Sequence, residues 1–139
     1  MWHYLVDTNV VSQATKTQPD ANVAAWFTSV SADECCLSIV TIGEIQHGIA
    51  LLDAKGSTTK AQRLTTWLAK LQEDYAGRIL DVTASVMTSW AYLPGRRVDF
   101  DSLIAATAAS HNLTVVTGNE ADFAHTEVPV LNPFNAEKP

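Results

Sequence analysis

The sequence predicts an α/β fold in which a parallel sheet is covered by helices on both faces. The main observation is alternation, since short apolar runs typical of buried strands are separated by longer runs with helical spacing. Length and composition agree, because 139 residues with 47% hydrophobic and 17% charged side chains are typical of one globular domain. The predicted strands are residues 2–6, 35–38, 79–82, 113–117 and 128–131.

Most of the predicted helices have a start or stop signal in the sequence. Asp7 opens an Asx turn after the first strand, and Thr41 with Glu44 has the spacing of a capping box. Gly77 and Asn112 are placed where they end two of the helices. The predicted helices span residues 10–14, 22–30, 41–53, 59–75, 84–92 and 101–111.

Composition argues against several classes of protein. We expect no membrane span and no export, because the chain lacks a run of about 18 apolar residues and a secretory signal. Cys35 and Cys36 are the only cysteines, and adjacent cysteines have neither disulfide nor zinc-ligand spacing, so we expect a reduced, cytoplasmic protein. The net charge of −6 argues against binding nucleic acid by simple charge attraction, but it does not exclude a nuclease whose acids hold metal.

Three acids lie far apart in the sequence, each at the boundary of a predicted element. They are Asp7 after the first strand, Glu44 near the start of the third helix and Asp101 at the start of the last helix. Open α/β sheets bind ligands at the carboxyl ends of their strands, and converging carboxylates suit hard divalent cations. The set predicts a metal-dependent enzyme that cleaves phosphodiesters. Each acid alone also fits a structural role as a helix cap.

A fourth acid is predicted after the strand that ends at residue 117. Asp122 is our choice, with Asn119 and Glu120 as close alternatives and a solvated loop acid as the structural alternative. We expect Asp99 to be a supporting or surface acid, because it cannot share a helical face with Asp101.

Two arginines stand in a Pro-Gly loop just before Asp101. Arg96 and Arg97 are therefore predicted to contact substrate phosphate. Glycine-rich phosphate loops and the Gly-x-Ser-x-Gly motif do not occur in the sequence, which excludes P-loop, dinucleotide-binding and α/β-hydrolase proteins.

Four motifs in order resemble the PIN-domain ribonucleases, and in particular the VapC-type toxins of bacterial toxin–antitoxin pairs. They are LVDTNVVS (5–12), VTIGEIQHGI (40–49), DSLIAATA (101–108) and HNLTVVTGNEADF (111–123). The ending VPVLNPF (128–134) also resembles the FitB-like members of that group.

The resemblance implies a single PIN domain over residues 1–139, an α/β/α sandwich with a parallel sheet of about five strands. It implies Mg²⁺ or Mn²⁺ held by Asp7, Glu44 and Asp101, with Asp122 or Asn119 completing the site, and cleavage of RNA. It also implies a cognate antitoxin protein and a homodimer. Two alternatives stay open, namely a non-catalytic PIN-like interaction protein and an enzyme that uses the same acids on DNA or as a phosphatase.

The antitoxin is expected to bring basic residues and to lay an amphipathic helix on an apolar groove. We expect the groove between the helices at 41–53 and 59–75. Its predicted walls, which also fit a role in the core, are Ile45, Ile49, Leu52, Leu64 and Leu68.

Overall fold

A computed structural model of the protein describes residues 1–135. The strands are β1 (Tyr4–Val6), β2 (Cys35–Ser38), β3 (Ile79–Leu80), β4 (Thr114–Val116) and β5 (Val130–Leu131). The helices are α1 (Thr8–Val11), α2 (Ala21–Ser29), α3 (Ile39–Ala54), α4 (Thr58–Asp74), α5 (Ala84–Ala91) and α6 (Phe100–His111). Short 3-10 segments lie at Ser12–Thr15, Ala32–Glu34, Glu120–Asp122 and Ala124–Thr126.

The five strands form one parallel sheet in the order β3-β2-β1-β4-β5. Helices cover both faces, so the predicted α/β/α sandwich is confirmed. In the register of β1 with β4, Val6 is the partner of Val116. Because the strands are parallel, Asp7 and Thr117 leave the sheet together at its carboxyl edge.

The sheet is buried on both faces. Val6 and Val116 pack with helices α1 to α4 on one face, whereas Leu5 and Val115 pack with α6 on the other. All four side chains are fully buried. This explains why the strands are continuous apolar runs in the sequence rather than runs that alternate with polar residues.

Two predicted helix starts were wrong. Helix α3 begins earlier than predicted, and its cap is Ser38, whose side chain accepts a hydrogen bond from the Val40 amide at 3.0 Å. Thr41 is instead fully buried in the first turns, and its hydroxyl has no hydrogen-bond partner within residues 1–135. Helix α6 is capped not by Asp101 but by Asp99, whose carboxylate accepts from the Ser102 amide at 2.8 Å.

Other boundaries agree with the sequence. Asp7 caps α1, and Asn112 ends α6 in the left-handed conformation, with a φ of 59°. The first helix continues as the 3-10 segment Ser12–Thr15. In the described part of the chain, no helix is long and apolar enough to cross a membrane.

The expected groove between α3 and α4 was wrong. Ile45, Ile49 and Leu68 are buried, and Leu52 and Leu64 pack against the same core cluster. These side chains pack into the core that α3 and α4 share, which is the alternative role that the sequence also allowed. An open groove of about 500 Å³ lies instead between α2 and α4, next to the segment 13–20.

Candidate active site

Asp7 is a buried, hydrogen-bonded acid at the carboxyl edge of the sheet. It is almost fully buried, and one carboxylate oxygen accepts a hydrogen bond from the Thr8 amide at 2.8 Å. The other oxygen accepts from Asn9 Nδ2 at 3.0 Å and from Thr117 Oγ1 at 2.9 Å. These bonds fix the orientation of a carboxylate that also caps α1.

The Asp-Thr-Asn turn is tied to the end of β4 by a small network. Asn9 Nδ2 also donates to Thr117 Oγ1 at 3.1 Å, and Asn9 Oδ1 accepts from the Gly118 amide at 2.8 Å. Glycine is favoured at position 118, because an added Cβ would lie 2.7 Å from the Phe134 ring and would force the ring to move. The predicted role of Asn9, which is to orient Asp7, therefore has a direct structural basis.

Thr117 is the site residue that sequence reasoning missed. Its hydroxyl joins Asp7, Asn9 and the Asn119 amide, the last at 3.0 Å. In the sequence it ends a predicted strand, where a β-branched residue needs no further explanation. The available signal was the threonine directly after a buried strand and before Gly118.

Glu44 reaches the same edge from α3. Thr8 Oγ1 donates to its carboxylate at 3.0 Å, which joins α1 to α3 across the site. Burial raises the pKa of Glu44, and the charges of Asp7 and Asp101 raise it further, while the Thr8 hydrogen bond opposes them. The capping-box role was wrong, since Ser38 caps this helix.

Asp101 lies in the first turn of α6. Burial, followed by the charges of Asp7, Asp122 and Asp99, raises its pKa from 3.8 to about 6, while Arg97 lowers it. The pKa of Asp7 is also raised, mainly by burial and in part by Asp122.

Four acids therefore lie close enough for the charge of one to change the pKa of another, and all four were predicted as site residues. They are Asp7, Glu44, Asp101 and Asp122. Within residues 1–135, no three His, Cys, Asp or Glu side chains are close enough to form a ready-made metal cluster. The arrangement is open, as repulsion between unpaired carboxylates favours.

The alternatives for the fourth acid lie differently. Glu120 accepts a hydrogen bond from Asn132 Nδ2 at 3.1 Å, which ties it to the chain after β5. Asn119 contacts the network through its backbone amide, which donates to Thr117 Oγ1. Of the three residues, only Asp122 has a charge that raises the pKa values of Asp7 and Asp101.

The loop before α6 holds the two predicted arginines. Arg97 is fixed through its backbone, since its amide donates to Ser102 Oγ at 2.8 Å and its carbonyl accepts from Trp90 Nε1 at 3.0 Å. The Arg96 guanidinium lies over the Trp90 ring, 5.5 Å from its centroid. Both arginines are exposed, and Arg97 is near enough to Asp101 to lower its pKa.

A scan against protein-family models matches the PIN domain over residues 4–129. The chain belongs to the PIN-domain family. Toxin FitB of Neisseria gonorrhoeae is 35% identical, over 94% of this chain and 98% of the relative. Ribonuclease VapC4 of Mycobacterium tuberculosis is 32% identical, over 91% of this chain and 94% of the relative.

A solved structure agrees with these relatives. The crystal structure of FitAcB from Neisseria gonorrhoeae superposes on this PIN domain with a TM-score of 0.85 at 33% identity. The alignment covers 96% of this chain and 99% of that chain. The resemblance to PIN domains of the VapC and FitB type is thereby confirmed.

Thr117→Val tests the network around Asp7. The substitution keeps the shape but removes one hydrogen bond to the Asp7 carboxylate, so the pKa of Asp7 should rise further. The free energy of unfolding should fall by about 1–2 kcal/mol, because buried partners lose a hydrogen bond. Urea denaturation and an NMR titration of the carboxyl groups measure the two effects.

Thr114→Val is the matched control for this prediction. Thr114 begins the same strand, and its side chain makes no hydrogen bond within residues 1–135. It should leave both quantities close to wild type. Equal effects of the two variants would show that the Thr117 hydroxyl has no special role.

The stability of the metal-free PIN domain should depend on pH through its crowded acids. A carboxyl with a pKa raised in the folded state binds more protons when folded than when unfolded, so stability falls as pH rises. For Asp101 the fall should lie between pH 3.8 and about 6.

Urea denaturation in EDTA at several pH values measures this slope. Asp101→Asn should reduce it without abolishing it, because the pKa values of Asp7 and Glu44 are raised as well. Asp33→Asn, an exposed acid before β2, serves as control. If stability depends on pH as steeply in Asp101→Asn as in the wild type, the raised pKa of Asp101 is contradicted.

Proposed function

We propose that this PIN domain is the ribonuclease toxin of a toxin–antitoxin pair, and that Mg²⁺ or Mn²⁺ is held by Asp7, Glu44, Asp101 and Asp122. The observation that carries the proposal is that Asp7, which ends β1 at the carboxyl edge of the sheet, lies close enough to the other acids for their charges to interact. The charge of Asp122 raises the pKa of Asp7, and the charge of Asp7 raises the pKa values of Glu44 and Asp101. The names of the FitB and VapC4 relatives support the toxin and ribonuclease assignments.

The donor set fits this kind of cation. Carboxylate oxygens are the ligands that Mg²⁺ and Mn²⁺ favour, and neither cysteine lies at the site. Both cysteines are buried in the core, where burial raises their pKa values to about 11. The chemistry that such a cation supplies is charge neutralisation at phosphodiester oxygens and a lowered pKa for water.

The residues of the chain have separable roles in this proposal. Asp7, fixed by three hydrogen bonds, orients the centre, and Asp101 and Asp122, whose charges interact with it, complete the set of ligands. Glu44 is only half-buried, so it is placed either to accept a proton from the attacking water or to act as a ligand. Arg97 is placed to pair with a phosphate beside the acids.

Cleavage should require the acids and a divalent cation. Asp7→Asn and Asp101→Asn should fold and lose RNA cleavage by several orders of magnitude, because the cation loses a charged ligand. Chelation with EDTA should abolish wild-type cleavage in the same gel assay. Asp53→Asn, an exposed acid in the last turn of α3, is the charge-matched control and should keep full activity.

Two results would contradict the proposal. Cleavage in EDTA would exclude the cation, and wild-type activity in either site variant would exclude the acids. If the protein cleaves single-stranded DNA but not RNA of the same sequence, its substrate is DNA and the roles of the acids and the cation are unchanged.

The fourth acid is tested by a pair of variants. Asp122→Asn should weaken Mn²⁺ binding in a calorimetric titration and slow cleavage, because its charge acts on both Asp7 and Asp101. Asn119→Ala should bind Mn²⁺ like wild type, since Asn119 contacts the network through its backbone. If Asn119→Ala weakens Mn²⁺ binding and Asp122→Asn does not, Asn119 rather than Asp122 completes the cation site.

An antitoxin partner is part of the proposal. Solved structures that share this fold are toxin–antitoxin complexes. The groove between α2 and α4 offers an amphipathic helix an apolar floor that includes Val23, Phe27, Trp67 and Leu71. An arginine of the antitoxin is suited to pair with the acids. The homodimer expected from the resemblance stays a prediction.

Ala24→Arg tests this docking surface. Ala24 is an exposed residue of α2 that lines the groove, so a long charged side chain there should block an apolar helix. Co-purification with the product of the adjacent small reading frame should be lost. Ala25→Arg, on the side of α2 away from the groove, is the control. Normal complex formation by Ala24→Arg would exclude the groove.

A further inference from the structure

Three large apolar side chains are exposed in one short stretch between the end of α5 and the start of α6. Tyr92 is 84% exposed, Val98 is 94% exposed and Phe100 is 53% exposed. We refer to these three residues as the apolar rim. The stretch itself is anchored to the core, because Leu93 within it is buried. Three exposed apolar side chains within nine residues of the chain are candidates for one binding surface.

The stretch that carries the rim is held in place. Its backbone is bonded to Trp90 Nε1 and to Ser102 Oγ through Arg97. Gly95, with a φ of +60°, lies so close to the next segment that an added Cβ would be 2.5 Å from the His125 carbonyl oxygen. A surface ordered in advance loses little conformational entropy when a ligand binds.

One residue of the rim adjoins a proposed catalytic acid in the chain. Phe100 directly precedes Asp101 in the first turn of α6. Arg97 lowers the pKa of Asp101, and Arg96 lies over the Trp90 ring. One short segment therefore presents an exposed aromatic ring, two cations and a catalytic acid. A nucleotide has the matching chemistry, because its base stacks on aromatic rings and its phosphate pairs with arginine.

We propose that Phe100, in the same exposed stretch as Tyr92 and Val98, is a stacking platform for an unpaired nucleobase next to the phosphodiester that is cleaved. The inference rests on the proposed function, and it names Phe100 as a residue that determines substrate specificity. Bases inside a duplex do not offer a free face for such stacking.

A second copy of the chain is the other candidate occupant of the rim. Arg96 and Arg97 are balanced by Asp99 and Asp101 in the same stretch, so net charge does not decide between the two occupants. A nucleotide matches the surface in more detail, because its base can stack on the Phe100 ring while its phosphate pairs with an arginine.

Two measurements test the platform. The first is the KM and kcat of RNA cleavage by wild type, Phe100→Leu and Phe100→Tyr. The second uses short single-stranded RNAs that each carry one 2-aminopurine, whose fluorescence is quenched by stacking, bound to the same proteins carrying Asp7→Asn. Trp2→Leu is the control, because Trp2 is an exposed aromatic residue that precedes β1, whereas Asp7 follows the other end of that strand.

Phe100→Leu should raise KM by about fivefold or more, the effect of one lost base–aromatic stack, and should remove the quenching. The kcat should change less, and Phe100→Tyr should restore both readouts because it keeps the ring. Wild-type KM and quenching in Phe100→Leu would overturn the platform, as would equal damage in Phe100→Tyr. So would a Phe100→Leu protein that changes only its oligomeric state by light scattering.

The binding measurement separates this inference from the proposed function. If the wild type cleaves no RNA but quenching still depends on Phe100, the ribonuclease proposal fails and the platform stands. If the wild type cleaves RNA and neither readout depends on Phe100, the platform fails alone.

Discussion

The pairing of β1 with β4 is the interaction on which the site depends. Its register brings Asp7 and Thr117, which are 110 positions apart in the chain, to a hydrogen bond of 2.9 Å. Both strands are buried on both faces, so a slip of one residue would exchange the side chains that face the two halves of the core. The core therefore specifies the register, and the register brings Asp7 and Thr117 together at the carboxyl edge.

The acids near this edge carry negative charge that no basic residue of the fold is seen to pair with in the part of the chain that the structure describes. Burial and mutual repulsion raise the pKa values of Asp7, Glu44 and Asp101, so their ionisation lowers the stability of the metal-free protein. The fold tolerates this unfavourable contribution of the ionised acids because burial of the sheet stabilises it. Such perturbed groups cluster at functional sites, and a ligand that binds only the folded state stabilises it.

Much of this structure is predictable from sequence, and the exceptions share a cause. All five strands are recognisable as short apolar runs, and the central strands β1, β2 and β4 are apolar because they are buried on both faces. Helix starts are harder, because Ser38 competes with Thr41, and Asp99 with Asp101, for the same capping role. Only the backbone conformation decides between them. Thr117 has the composition of an ordinary strand residue, and its role depends on pairing with a strand at the other end of the chain.

The central claim is that these acids act together as one cation site, and proton release on Mn²⁺ binding tests it most directly. Calorimetric titration near pH 6 in two buffers of different ionisation enthalpy gives the number of protons released. A carboxyl group with a pKa of about 6 must lose its proton to bind a cation, so wild type should release protons and Asp101→Asn should release fewer. Absence of Mn²⁺ binding, or binding without proton release, would contradict the account.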